Sequence, residues 1–127
     1  MIGSLVDTNV IIKMLHNEKE ALDVLEKIDK AYITVIVAGE LFYGACNSSN
    51  PDGNMKLFQD VLAQFEILPV SLDVANSYAF IKSELKKAGN PIPENDLWIA
   101  ATAHAYNVSL ATFDTHFKNV RQITLVR

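Results

Sequence analysis

Short apolar runs alternate along this chain with segments of helical period. "SLVDT" (4–8), "AYITV" (31–35), "EILPV" (66–70), "VSLAT" (108–112) and "QITLV" (122–126) are each set off from the next by helical or turn-forming sequence. Strands this short and this apolar are buried on both faces, and connections of helix length between them suit parallel pairing. The pattern predicts an α/β fold: a three-layer α/β/α sandwich with a mainly parallel sheet, formed as one domain over residues 1–127. In sheets of that kind, ligands gather at the carboxyl ends of the strands.

The helical segments are "NVIIKML" (9–15), "EKEALDVLEKIDK" (18–30), "VAGELFYGACN" (37–47), "MKLFQDVLAQF" (55–65), "SLDVANSYAFIKSELKKAG" (71–89) and "DLWIAATAHAYN" (96–107). In the second, Ala21, Leu22, Leu25 and Ile28 form one apolar stripe. Gly89 is placed as the stop of the fifth. "NSSNPDGN" (47–54) and "NPIPEN" (90–95) read as loops, being rich in turn formers. "NDLWIAATAHA" (95–105) leaves almost no helix face for water, yet it opens with the charge of Asp96.

Half of the 127 residues are hydrophobic, enough for a core without staples. A single cysteine, Cys46, allows no internal disulfide and suits a reducing compartment, so a cytoplasmic location is expected. The longest apolar runs are too short to span a bilayer, and Met1 is followed by no basic region or cleavage signature of a signal peptide. The net charge of −4 argues against a general polyanion binder, so any nucleic-acid role needs local basic patches.

Four acids fall at junctions between strands and helices. Asp7 ends the first strand, Glu40 lies on the helix after the second, Asp96 opens the buried helix and Asp114 follows "SLAT". Each has an ordinary reading taken alone. Asp7 serves as a cap for the helix beginning at Thr8 and Asn9, Glu40 is a solvated helix position, Asp96 (or Asn95) caps its helix, and Asp114 is a turn residue. Jointly these readings weaken, because a parallel sheet brings all four junctions to one edge. Carboxylates gathered there repel one another unless a cation sits among them, and oxygen ligands favour Mg²⁺ or Mn²⁺ over zinc. His16, His104 and His116 lack zinc-ligand spacing and read as structural or surface residues; Cys46 has no evident base partner.

The chain resembles the PIN domain, and within it the VapC-type toxins of bacterial toxin–antitoxin pairs. "LVDTNVII" is similar to the family's opening strand with its first acid. "VAGELFYGA" is similar to the segment with the second, "PENDLWIAATA" to that with the third, and "LATFDTHF" to that with the last. Phe113 departs from the pattern, standing where many relatives carry Asn or Arg. The resemblance implies a PIN-like sandwich and a Mg²⁺- or Mn²⁺-dependent endoribonuclease acting on structured RNA, often tRNA. It implies that Asp7 and Asp96 hold the principal metal, with Glu40 and Asp114 completing the cluster, and it makes Asn9 and Thr112 donors that orient the carboxylates. It further implies a homodimer and an antitoxin partner whose tail occupies a groove near the site, for which Phe42 and Tyr43 are candidate lining residues. Lys13, Lys82, Lys86, Lys87, Lys118 and Arg121 are candidates for RNA backbone contacts, although the lysines of "ELKK" read first as a solvated helix face.

Two rival classes stand beside this reading. A phosphohydrolase with strand-end carboxylates would use Asp7 as a covalent nucleophile, but it wants a second acid two residues on, where Asn9 stands. A non-catalytic binding module on the same fold has no need of four acids.

Overall fold

A computed structural model describes residues 3–127; Met1 and Ile2, the first two positions of the expected domain, lie outside the described residues. The elements follow in the order β1 (Ser4–Val6), α1 (Thr8–Leu15), α2 (Lys19–Glu26), β2 (Ala31–Ile33), α3 (Val35–Cys46), α4 (Pro51–Leu62), β3 (Glu66–Ile67), α5 (Leu72–Ala88), α6 (Glu94–Ala105), β4 (Ser109–Ala111), a 3₁₀ turn (Thr115–Asn119) and β5 (Leu125–Val126). The five strands form one sheet in the order β3-β2-β1-β4-β5, and every neighbouring pair is parallel. The expected α/β sandwich with a parallel sheet is the observed architecture.

That strand order has a consequence for function. From β1 the chain steps outward to β2 and β3, then returns across the sheet to β4 on the other side of β1. The connections before the return (through α1 to α4) and the one that makes it (through α5 and α6) therefore run in opposite directions across the sheet. The two windings part between β1 and β4, which is where open sheets of this kind carry their ligand crevice. β1 is completely buried, and Leu5, Val6, Ile33 and Leu110 form the centre of the core with Val10 and Ile11 of α1, Ile81 of α5 and Ile99 of α6. The apolar all-round character of α6 is explained by its place: it packs on α5, α3 and β4, and Leu97 together with Ile99 through Ala103 is buried.

Some expected boundaries move. α4 begins at Pro51 inside the stretch read as a loop, with Asn50 accepting from Gly53 N at 3.2 Å and proline in the first turn. The residues that signal a turn are the same ones that start a helix, since the first-turn amides have no helical partner and proline lacks one anyway. On α2 the buried side is built from Ala21 and Val24, whereas Leu22 is exposed. Gly89 does end α5, in the left-handed region at φ 75° that glycine enters without penalty. Among the described residues no helix is long and apolar enough to cross a membrane.

Candidate functional site

Register brings the first two elements of the site together. Val6 is paired with Ala111, so the next residues, Asp7 and Thr112, leave the sheet side by side, with Asp7 N donating to Ala111 O at 3.0 Å. Thr112 is completely buried and Asp7 is only 4% exposed. The Thr112 hydroxyl donates to Asp7 Oδ2 at 2.7 Å and accepts from Asp114 N at 3.0 Å. Asn9, in the first turn of α1, donates to the same Asp7 oxygen at 3.2 Å, and its Oδ1 accepts from Phe113 N at 3.0 Å. Asn9 and Thr112 therefore both donate to one oxygen of the first acid. Asp7 also caps α1, its Oδ1 accepting from Thr8 N at 2.8 Å. The cap and the site residue are one and the same.

The other acids close on this pair. Glu40, half-buried on α3, accepts from the Thr8 hydroxyl at 2.8 Å, which ties it to the residue after Asp7. Asp114 caps the 3₁₀ turn by accepting from His116 N at 2.9 Å. Asp96 does not cap α6. Pro93 occupies the cap position, no side-chain capping bond is made, and neither Asp96 nor Asn95 plays that part. Asp96 sits within the first turn with its side chain 13% exposed, turned toward Asp114. Between the two lies His116, whose Nδ1 is 3.1 Å from Asp96 Oδ2 and 3.0 Å from Asp114 Oδ1.

The electrostatics are those of crowded anions. Burial raises the Asp7 carboxyl above its ordinary value against the opposing hydrogen bonds of Thr112 and Thr8, and the charges of Glu40 and Asp114 add to the rise. Burial and then the charge of Asp114 push Asp96 up to about 6, His116 opposes them, and Asp7 contributes in the same direction as Asp114. Acids in this state favour a cation among them. The donor set suits a hard divalent ion. One oxygen each of Asp96 and Asp114 and one nitrogen of His116 lie within 4.8 Å of one another. Asp7 keeps part of its acceptor capacity, since a carboxylate offers about four acceptor positions and Thr8, Asn9 and Thr112 use three.

His116 is the residue that sequence reading missed. It is a surface residue, as expected of it, but it also bridges two of the acids. Zinc-type spacing was the wrong signal to look for; the informative one was its place two residues after Asp114. His16 and His104 are otherwise engaged, His16 as the C-cap of α1 and His104 bonded through Nδ1 to Ser77 Oγ at 2.8 Å.

The expected flanking residues divide. Lys13 is held by Glu20 and Glu18 and lies over the Phe113 ring, and Lys82 is bound to Glu94. Lys86, Lys87, Lys118 and Arg121 are exposed and form no ion pair among the described residues. Phe42 lines an apolar groove between α3 and α4, of about 440 Å³, with Val35, Gly39, Leu62, Ala63 and Ile67. Tyr43 lies outside that groove and is 73% exposed.

Comparison with known proteins gives a consistent answer. Residues 4–123 match the PIN domain family. Ribonuclease VapC of Rickettsia bellii is 34% identical over 128 residues, covering 98% of this chain and 95% of that protein. Ribonuclease VapC2 of Haemophilus influenzae is 30% identical over 131 residues, covering 100% of this chain and 96% of that protein. Among solved structures, VapBC2 from Rickettsia felis, bound to a DNA fragment from their promoter, superposes with a TM-score of 0.84 at 28% identity, covering 96% of each chain.

Proposed function

Because this chain belongs to the PIN domain family, we propose that it is a divalent-metal-dependent endoribonuclease and the toxin of a VapBC-type toxin–antitoxin pair. The observation that carries the reading is the gathering of Asp7, Glu40, Asp96 and Asp114 at the β1–β4 switch point, linked through Thr8, Thr112 and His116. Asp7, Asp96 and Asp114 would hold Mg²⁺ or Mn²⁺, with Glu40 beside them and His116 as a nitrogen donor. Once bound, such an ion acidifies a water and neutralises charge developing on a phosphodiester. The residues of this chain supply orientation: Thr112 and Asn9 fix Asp7, Thr8 fixes Glu40, and the 3₁₀ turn fixes Asp114. A covalent role for Asp7, as a phosphohydrolase would require, is disfavoured because Asn9 stands where that chemistry wants its second acid.

The same reading supplies substrate and partners. The substrate is structured RNA such as tRNA, approached through the unpaired cations Lys86, Lys87, Lys118 and Arg121. The partner is a cognate antitoxin, and the apolar groove of α3 and α4, one residue from Glu40 at Gly39, is the surface offered to it. A homodimer in the cytoplasm completes the proposal. The test is incubation of the purified chain with total RNA in Mn²⁺ and in EDTA, alongside Asp7→Asn and Glu40→Gln. Cleavage is expected only with metal, nearly lost in the first variant and severely reduced in the second. Cleavage at the wild-type rate by Asp7→Asn, or in EDTA, would overturn the reading.

A further inference from the structure

The first turn of α6 carries Asp96, yet no side chain caps it. Helix ends without caps leave amides unpaired and fray. What holds this one is a cluster on the far side of the helix from the site. Glu94, the first residue of α6, accepts from the Tyr78 hydroxyl and from Lys82 Nζ at 3.2 Å, both on α5. Lys82 also donates to the Tyr78 hydroxyl at 3.0 Å and lies 5.3 Å from the centre of its ring. Four residues after Glu94, Trp98 stacks on Tyr78 with ring centroids 4.0 Å apart and planes 10° apart. Positions four apart share a helix face and positions two apart do not. Glu94 and Trp98 thus grip α5 while Asp96, between them, faces Asp114 and His116.

We propose that Tyr78, with Glu94 and Trp98, is a clamp that positions Asp96 for metal binding. The proposal rests on the metal reading above and concerns residues that touch neither metal nor substrate. The exposed Lys82–Glu94 pair alone would do little. The stacked rings and the shared hydroxyl bond make the arrangement specific, because they fix both the tilt and the rotation of the first turn. Loss of the clamp leaves α6 folded through its buried remainder but lets Asp96 drift, and metal ligands tolerate little displacement.

Thermal melts of the full chain across a Mn²⁺ titration give an apparent Mn²⁺ affinity for wild type, Tyr78→Phe, Glu94→Ala and Ser77→Ala. The last variant removes the other hydrogen bond joining α5 to α6, Ser77 to His104, away from Asp96. Tyr78→Phe and Glu94→Ala should bind Mn²⁺ about threefold to tenfold more weakly, less than the roughly 10- to 100-fold seen when a ligand's own hydrogen-bond partner is removed. Amide exchange at Asn95–Leu97 should quicken in both. Ser77→Ala should lower the melting temperature but keep wild-type Mn²⁺ affinity. Wild-type Mn²⁺ affinity in both clamp variants, or an equal loss in Ser77→Ala, would overturn the clamp while leaving the metal reading intact. A wild type indifferent to Mn²⁺ would instead overturn both.

Discussion

Replacing Asp96 by Asn should make the metal-free protein more stable while removing its response to divalent ions. The folded Asp96 carboxyl titrates at about 6 against an ordinary value of 3.8. A gap of about 2 pH units corresponds to at most about 3 kcal/mol, and in a half-buried site solvent screens part of it. The folded value is the higher one, so the stabilising effect of the bound proton is complete below pH 3.8 and is lost as pH rises through about 6. At about pH 7.5 the folded chain therefore holds a carboxylate it would sooner have neutral. Asn removes that charge. It also loses the charged acceptor for His116 and a favourable charge at the helix N-terminus, which together offset about 1 to 2 kcal/mol. The net gain is at most about 1 to 2 kcal/mol, and the melting temperature should rise by up to about 4 to 8 °C.

The assay is a set of melts of wild type and Asp96→Asn, each in EDTA and in millimolar Mn²⁺, at about pH 7.5 and about pH 5. Wild type should gain about 2.7 kcal/mol when Mn²⁺ is at 100 times its dissociation constant, and the variant should gain nothing. Near pH 5 the advantage of the variant should shrink, because wild-type Asp96 is then mostly protonated. An unchanged melt in EDTA, or an advantage that persists undiminished at the lower pH, would refute the argument from crowded charge.

Two further outcomes probe the neighbours. Thr112→Val keeps the shape of a fully buried side chain but removes the hydroxyl that Asp7 and Asp114 N share; it should lower stability by about 2 kcal/mol, as for a hydrogen bond to a charged group, read as the midpoint of urea unfolding. His116→Ala should weaken the Mn²⁺-induced rise in melting temperature less than Asp96→Asn does, because the oxygen donors remain; an equal loss would make the imidazole an indispensable ligand.

How far the sequence reveals this molecule depends on how local each signal is. Strand identity and parallel pairing are legible because "SLVDT" and "VSLAT" are apolar and short and are joined by helix-length connections; the order of the strands is not, because it depends on where the helices pack. The start of α4 is not, because Asn50, Pro51 and Asp52 serve turns and helix starts alike. The acids are legible as a set through their junction positions and through family resemblance. His116 is legible only in part: its place two residues after Asp114 is local, but its contact with Asp96 depends on α6 bringing that residue across from another element. The clamp is hidden for the same reason: Tyr78 and Glu94 are 16 residues apart and meet only once α5 packs on α6.

The capping reading of the acids holds for Asp7 and Asp114 and fails for Asp96. Asp7 caps α1 and Asp114 caps the 3₁₀ turn, so removing either side chain would disturb the fold as well as the proposed site. An alanine there costs about 1 kcal/mol through the lost cap, whereas asparagine caps about as well as aspartate. Loss of activity in an alanine variant would thus be ambiguous at these two positions, and loss in an asparagine variant would not. Asp96 is free of that ambiguity because it caps nothing. Its charge, set against Asp114 in a half-buried crevice, serves the N-terminus of α6 and holds His116, and burial and Asp114 outweigh both. On the proposed metal reading, a bound cation lowers the energy that this carboxylate raises in the metal-free fold, which the melts of Asp96→Asn test directly.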